Sequence, residues 1–284
     1  MSTRIWQRLS AFATYLACVL CCITPHLLKA QKTTIVFQAV PREVVIQRLH
    51  RLHSKDTERE AELKSMFGEA GCKADQVQEQ IVKRRDPPNV ICTLPGATNS
   101  LIIVGAHFDL AEEGAGAVDD WSGASLLPSL YEALKDTPRR HTFVFVGFTD
   151  EEKGLVGSNY YVRHLPTDQL STIKAMVNLE CLGLGPTEVW DHVANEGLLR
   201  ALFSVTQSMH VGLTGANVEN VGNDDTQAFR NQKLPVITIH SLTQRALHII
   251  HSPRDNLAAI HVNDLYQSYR VVSEYLAYID ESLN

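Results

Sequence analysis

The spacing of apolar residues changes twice along the chain. Between 41 and 53, Val45, Leu49 and Leu52 fall at helical intervals. A second helix is predicted next, with Thr57 and Glu60 as a capping box, Leu63 and Phe67 on its inner face and Gly71 at its end. From Gln76 the runs become short and extended. Residues 76–83 and 89–94 read as strands joined around Asp86-Pro87-Pro88. Four apolar runs then have the length expected of buried strands: 101–106, 142–148, 175–179 and 235–239. Helical patterns at 122–135, 155–164 and 195–209 separate them, and a last helix places Leu265, Tyr269, Val272, Leu276 and Ile279 on one face. Strands alternating with helices predict an α/β sheet covered on both faces. Pro128 conflicts with this pattern. It falls inside the helix at 122–135, has no amide hydrogen for the Ala124 carbonyl, and should kink or delay that helix.

Composition narrows the class. Of 284 residues, 44% are hydrophobic and 20% charged, which excludes a disordered or fibrous chain. Lys plus Arg is 26 and Asp plus Glu is 32, a net charge of −6, so no basic footprint for nucleic acid exists. The first thirty residues differ from the rest. Arg4 and Arg8 precede a charge-free stretch, 11–23, which Pro25 interrupts, and Ala30 stands before Gln31. This reads as a secretory signal peptide cleaved after Ala30, with the mature chain expected to be soluble, outside the membrane, in a periplasmic or extracellular space. The stretch is shorter than the roughly 20 apolar residues that span a bilayer, so an uncleaved anchor is the lesser alternative. Residues 31–284 are expected to form one catalytic domain, with the helices at about 41–72 as its flank, because no Gly/Pro/Ser-rich linker follows them. Cys72, Cys92 and Cys181 remain after cleavage, enough for one disulfide and a thiol, or for three thiols.

The candidate chemistry sits at strand ends. The run 101–106 leads into His107 and Asp109, the run 142–148 into Asp150, Glu151 and Glu152, and the run 175–179 into Glu180. In open α/β sheets, ligands bind beyond the carboxyl ends of strands. Asp119-Asp120, just before a helix, and His251, in a loop-like stretch, add to the set. Imidazole with carboxylate suits zinc or a similar divalent ion. One cation cannot absorb all these carboxylates, but two sharing a bridging carboxylate can. Such a pair lowers the pKa of a water toward 7, and a spare carboxylate can take its proton.

Several blocks resemble the di-zinc aminopeptidase family of clan MH, which also contains glutamate carboxypeptidases and glutaminyl cyclases. They are Val104-Gly-Ala-His-Phe-Asp109, Gly116-Ala-Val-Asp-Asp-Trp-Ser-Gly-Ala124, Phe148-Thr-Asp-Glu-Glu-Lys-Gly-Leu-Val-Gly-Ser158, Val177-Asn-Leu-Glu180, Asp225-Thr-Gln-Ala-Phe229 and His251-Ser-Pro-Arg-Asp-Asn256. The resemblance implies a mixed, mostly parallel sheet of about eight strands between helices. It implies two zinc ions, one on His107 and Glu180, the other on Glu152 and His251, with Asp119 bridging them. Glu151 would be the general base, Asp109 would orient His107, and the Asp119-Asp120 peptide would be cis. Two positions depart from the family: Glu180 stands where Asp is usual, and Thr226 where His is frequent. The implied activity is that of a secreted zinc exopeptidase, an aminopeptidase foremost, acting on peptides. A single-zinc glutaminyl cyclase and an inactive binding or receptor domain are the competing readings.

Other polar residues carry blander expectations. Glu151-Glu152 alone would read as an exposed acidic loop, and Asp120 as a helix cap. Asp224-Asp225 reads most simply as a turn, and Cys181 as a packed small residue. His240 and His248 lie near the expected rim, where a core or surface role is the commoner fate of each.

Overall fold

The computed structural model describes residues 37–216 and 222–284, so the expected signal segment lies outside the described residues. Helices α1 (Arg42–Leu49) and α2 (Asp56–Ala70) come first, then β1 (Val77–Gln80), β2 (Asn89–Leu94) and β3 (Leu101–His107). A turn at Ala117–Trp121 and a helical turn at Ser122–Ala124 lead to α3 (Leu127–Leu134), β4 (Thr142–Phe148) and α4 (Val156–His164). There follow β5 (Ile173–Glu180), β6 (Glu188–Trp190), α5 (Glu196–Ser208), β7 (Thr214–Ala216), a short helix Thr226–Arg230, β8 (Val236–His240) and α6 (Val262–Ser282).

The strands form one mixed sheet in the order β1-β2-β4-β3-β5-β8-β6-β7. Its centre, β4-β3-β5-β8, is parallel, while β2 runs antiparallel to β4 and β6 antiparallel to β8. This is the α/β architecture expected from the alternation. A parallel centre sends the carboxyl ends of β3, β4 and β5 to one edge. Each strand feeds two cores by its two-residue period. Ile102, Val104 and Ala106 of β3 pack into the larger core and Ile103 into the smaller. Phe143 and Phe145 of β4 take the same side as Ile102, and Val144, Val146 and Phe148 the other. The predicted face of α6 is fully buried at Leu265, Tyr269, Val272, Leu276 and Ile279. Burial on this scale is worth about 1.5–3 kcal/mol for each large apolar side chain.

Pro128 resolves its own conflict. The helix at 122–135 is broken after Ala124, and Pro128 occupies the first turn of α3, where its missing amide hydrogen has no partner to lose. The expected capping box is absent. Helix α2 begins two residues earlier than a Thr57 cap would place it, at Asp56, with no side-chain cap. Glu60 instead pairs with Lys64 at 2.7 Å, and the Asp56 carboxylate accepts the Leu110 amide at 3.0 Å. Gly71 does end α2, in the left-handed conformation (φ 101°) that glycine adopts freely. Strand β1 stops at Gln80 rather than 83, where its pairing ends opposite Asn89, the first residue of β2, and Lys83 beyond it meets Asp150 at 2.9 Å.

Both flank helices pack on the larger core through Val45, Leu49, Leu63, Met66 and Phe67. Cys72, just beyond α2, is disulfide-bonded to Cys92 of β2, and Cys181 is a buried free thiol. The bridge closes a sequence separation of 20 residues. Loop-closure entropy for that length gives about 3 kcal/mol. The double replacement Cys72→Ala/Cys92→Ala should therefore lower the unfolding free energy by about this amount in denaturant titration. An unchanged midpoint and slope would show that the bridge adds nothing. Among the described residues no helix is long and apolar enough to cross a membrane.

Candidate active site

The rim at the carboxyl edge brings the predicted residues together. His107 ends β3 and is 1% exposed. Its Nε2 lies 3.0 Å from Asp119 Oδ1 and 3.6 Å from Glu180 Oε1. The other oxygen of Asp119 lies 3.0 Å from His251 Nε2, which is 3.2 Å from Glu152 Oε2. Asp119 thus stands between two separate imidazole–carboxylate pairs. The Asp119-Asp120 peptide is cis. Asp120 Oδ1 accepts the amides of Gly123 (3.1 Å) and Cys181 (3.0 Å), so it braces the start of the next helix and the end of β5. The Cys181 thiol is packed against Glu180, with Sγ 3.6 Å from Oε1.

Buried carboxylates behind the rim hold its backbone. Asp109 accepts the amides of Glu151 (3.0 Å) and Glu152 (3.2 Å), and its Oδ1 lies 3.3 Å from His107 Nδ1. The sequence suggested only the imidazole contact; the grip on the two glutamate amides is additional. Asp255 accepts the amides of Val118 (2.7 Å) and Asp119 (3.2 Å). The Glu151-Glu152 turn is also held from the far side. Asn89, at the start of β2, accepts the Thr149 amide and donates to the Gly157 carbonyl, each at 3.0 Å. Gly157 permits this approach, since a Cβ there would stand 2.3 Å from the Thr149 carbonyl oxygen. Asp150 is fully buried between Lys83 (2.9 Å) and Lys153 (2.6 Å).

So many acids in one place distort one another. Burial pushes Glu151 up to about 10, with Asp225, Glu180 and Asp119 adding to the rise and His107 opposing it. Burial likewise pushes Glu180 up to about 7. Asp119 is held below its ordinary range by His107 and His251, against the effect of burial. His251 is raised to about 10 by its bonds to Asp119 and Glu152. Cations bound among these groups would offset the charge of the carboxylates. The donors suit such ions. The candidate ligand atoms of Asp119, Glu152 and His251 lie within 4.8 Å of one another, as do those of His107, Asp120 and Glu180. Glu152 Oε1 is buried without a hydrogen bond. Oxygen and imidazole donors in these numbers fit zinc.

A cleft of about 500 Å³ opens above these groups. Asp119, Glu151, Glu152 and Glu180 form its acidic side, and Leu155, Trp190, Leu242 and Ile250 its apolar side.

The Peptidase family M28 profile matches residues 89–276, well over half of the chain. The chain belongs to peptidase family M28. This M28 member is 30% identical over 109 residues to Aminopeptidase YwaD of Bacillus subtilis. That stretch covers 38% of the chain and 23% of the relative, so the chain matches about a quarter of that protein's length. The Legionella pneumophila LapA aminopeptidase structure shares the fold at a TM-score of 0.72 and 21% identity, over 86% of this chain and 73% of that one. An Acidobacteriales bacterium glutaminyl cyclase does so at 0.70 and 18% identity, over 85% and 94%.

Some residues of this M28 site escaped the sequence. Asp224-Asp225 is not a simple turn, for both side chains are buried. Asp224 accepts from the hydroxyls of Thr226 and Thr238 and lines the cleft. Thr226 therefore serves Asp224. Burial pushes the Asp225 carboxyl up to about 8, with His107 and Ser158 opposing the rise. Trp190 escaped because β6 is only three residues long. His248 is exposed, the surface role expected.

His240 ends β8 beside Glu180 and is buried, with Nδ1 accepting the Leu242 amide at 2.9 Å. Burial pushes it down to about 4. The folded ring stays neutral between pH 6.5 and 4, while the unfolded ring takes up a proton. The unfolded state binds more protons in that window, so stability falls as the pH drops through it and is fully present above 6.5. The raised carboxyls at the rim give the metal-free protein a slope of opposite sign, so the His240 contribution is read as a difference: in urea unfolding from pH 7.5 to 4, His240→Asn should lose less stability on acidification, or gain more, than the unmutated protein. An identical slope in the variant would remove His240 as its source.

Proposed function

We propose that this protein is a secreted or periplasmic zinc aminopeptidase that removes apolar residues from the free amino end of peptides. The observation that carries the reading is the Asp119 carboxylate, shared between His107 and His251 at 3.0 Å each. His107 and Glu180 would hold one zinc, Glu152 and His251 a second, and Asp119 both. Bound there, zinc supplies Lewis acidity toward a carbonyl and acidifies a water. With that positive charge beside it Glu151 would be ionised, and it would take the proton from the attacking water and return it to the departing amine. Asp109 keeps Glu151 and Glu152 in register through their amides. Leu155, Trp190, Leu242 and Ile250 offer the first side chain an apolar wall.

The same geometry leaves room for a second reading. The fold likeness to a glutaminyl cyclase covers 94% of that shorter chain, against 73% of the aminopeptidase. A cyclase would act on amino-terminal glutamine with one zinc. Short peptides with free or blocked ends, and products read by mass spectrometry, separate the two. The aminopeptidase reading expects stepwise shortening from a free amino end, abolished by chelator. Cleavage of amino-blocked peptides defeats it, and ring closure of glutamine without shortening replaces it with the cyclase.

The compartment rests on Arg4, Arg8 and the charge-free stretch after them, and on a disulfide of the kind oxidising compartments maintain. An exported chain beginning at Gln31 is expected. Cytoplasmic protein retaining its first thirty residues would overturn the assignment.

A further inference from the structure

Arg59 lies on α2, before the first residue that the M28 profile matches. It is fully buried. Its Nε donates to the His53 carbonyl at 2.9 Å, Nη1 to the Phe108 carbonyl at 3.1 Å and Nη2 to the Ala115 carbonyl. The guanidinium carbon lies 5.6 Å from the ring centre of Trp121. A buried cation bonded to three carbonyls is costly to place, so what those carbonyls belong to matters.

Phe108 stands between His107 and Asp109. Ala115 opens the turn that delivers Asp119. The next residue, Gly116, has φ 53°, and a Cβ on it would stand 2.9 Å from the Asp119 carbonyl oxygen and 3.1 Å from Arg59 Nη1. One planar fork therefore spans the two segments whose ligand atoms, His107 Nε2 and Asp119 Oδ1, meet at 3.0 Å. Asp56, on the same helix, takes the Leu110 amide at 3.0 Å, a second grip on the same loop. The charge of Arg59 also acts on Asp56, Asp255, Asp109 and Asp120. Three of these are the carboxylates that hold the backbone behind the rim.

We propose that Arg59 is a positioning residue for the metal rim, tying the His107–Asp109 segment to the Asp119 turn and offsetting the carboxylates behind them. The proposal rests on the zinc reading above. It makes the flank helix part of the site, although the chemistry lies wholly on the sheet.

A matched control exists on the same flank. Arg48 is also buried, but donates to Ser129 (2.8 Å) and Glu132 (2.6 Å) on α3 and, among the described residues, makes no hydrogen bond to the rim. The measurement is zinc affinity of metal-free protein by competition with a chromophoric chelator, with Tm recorded alongside. Groups that orient metal ligands typically change affinity 10–100-fold. Arg59→Met should approach the upper end of that range. Arg59→Lys should weaken binding about tenfold, since an ammonium keeps the charge but not the fork that spans both carbonyls. For the cleaved peptide, kcat should fall with KM nearly constant. Arg48→Met should lower Tm and leave zinc affinity unchanged. Native affinity in Arg59→Lys, or a loss no larger than that of Arg48→Met at equal Tm, overturns the proposal. If Arg59→Met does not fold, the Arg59→Lys comparison decides alone. Unmutated protein that binds no zinc would instead defeat the metal reading underneath.

Discussion

Replacing Glu151 with glutamine is expected to lower peptide hydrolysis by about 10²–10⁴-fold, the usual worth of a general acid–base group. Zinc content should stay that of the unmutated protein. The reasoning is positional. Asp109 fixes the amides of both glutamates, yet only Glu152 has a carboxylate oxygen within 3.2 Å of His251. The Glu151 carboxylate acts electrostatically on His107, Asp225, Glu180 and Asp119 together, as a group standing over the shared rim does. Its oxygen is nevertheless within 4.8 Å of ligand atoms on His107 and Glu152, near enough to serve as a ligand itself. Metal content is therefore the deciding readout. Zinc lost in proportion to activity would make Glu151 a ligand and remove the proposed base.

Asp119→Ala should have the larger consequence for metal. It takes away the one carboxylate that faces both imidazoles, so occupancy should fall at both positions and activity should drop to background. Glu180→Ala should lower occupancy at the His107 position alone and leave about one zinc per chain, while Glu180→Asp should retain two. Glu180 is 9% exposed, and outside the site its carboxylate accepts, among the described residues, only from Asn178 Nδ2 at 3.1 Å and the Cys181 thiol, so little else tethers it. Zinc analysis of the three variants at saturating metal tests the scheme. A stoichiometry fixed near one in the unmutated protein, unchanged in Glu180→Ala, would support the cyclase reading and end the two-metal one.

Much of this site was legible because strand ends carry their chemistry in sequence order. Ile102 to Ala106 and Phe143 to Phe148 are apolar runs long enough to declare themselves, and the residue that follows each must emerge at the sheet's edge. Glu188–Trp190 and Thr214–Ala216 are too short and too polar to make such a pattern, so two strands and Trp190 went unseen. Asp224-Asp225 carries a turn's composition, and only the burial supplied by β8 and the helix after it reveals otherwise. Arg59 was hidden for another reason. Helix α2 was read from its apolar face, and a cation on a helix ordinarily points to water. The pairing of Cys72 with Cys92 needed the proximity of α2's end to β2, which spacing does not give.

Strand β2 runs against the sheet's parallel centre, so its beginning, not its end, meets the catalytic edge. The connection that precedes it, residues 81–88, is thereby brought beside the Glu151-Glu152 turn, with Lys83 on Asp150 and Asn89 on Thr149 and Gly157. Each loop proposed to bear a metal ligand must keep it as it diverges. This one carries none. None of these residues lines the cleft, so changes of length or sequence at 84–88 reach it only through the bonds that Lys83 and Asn89 make behind the Glu151-Glu152 turn. A lineage can therefore vary this hairpin and change how firmly the turn is held, with no residue that faces the cleft replaced.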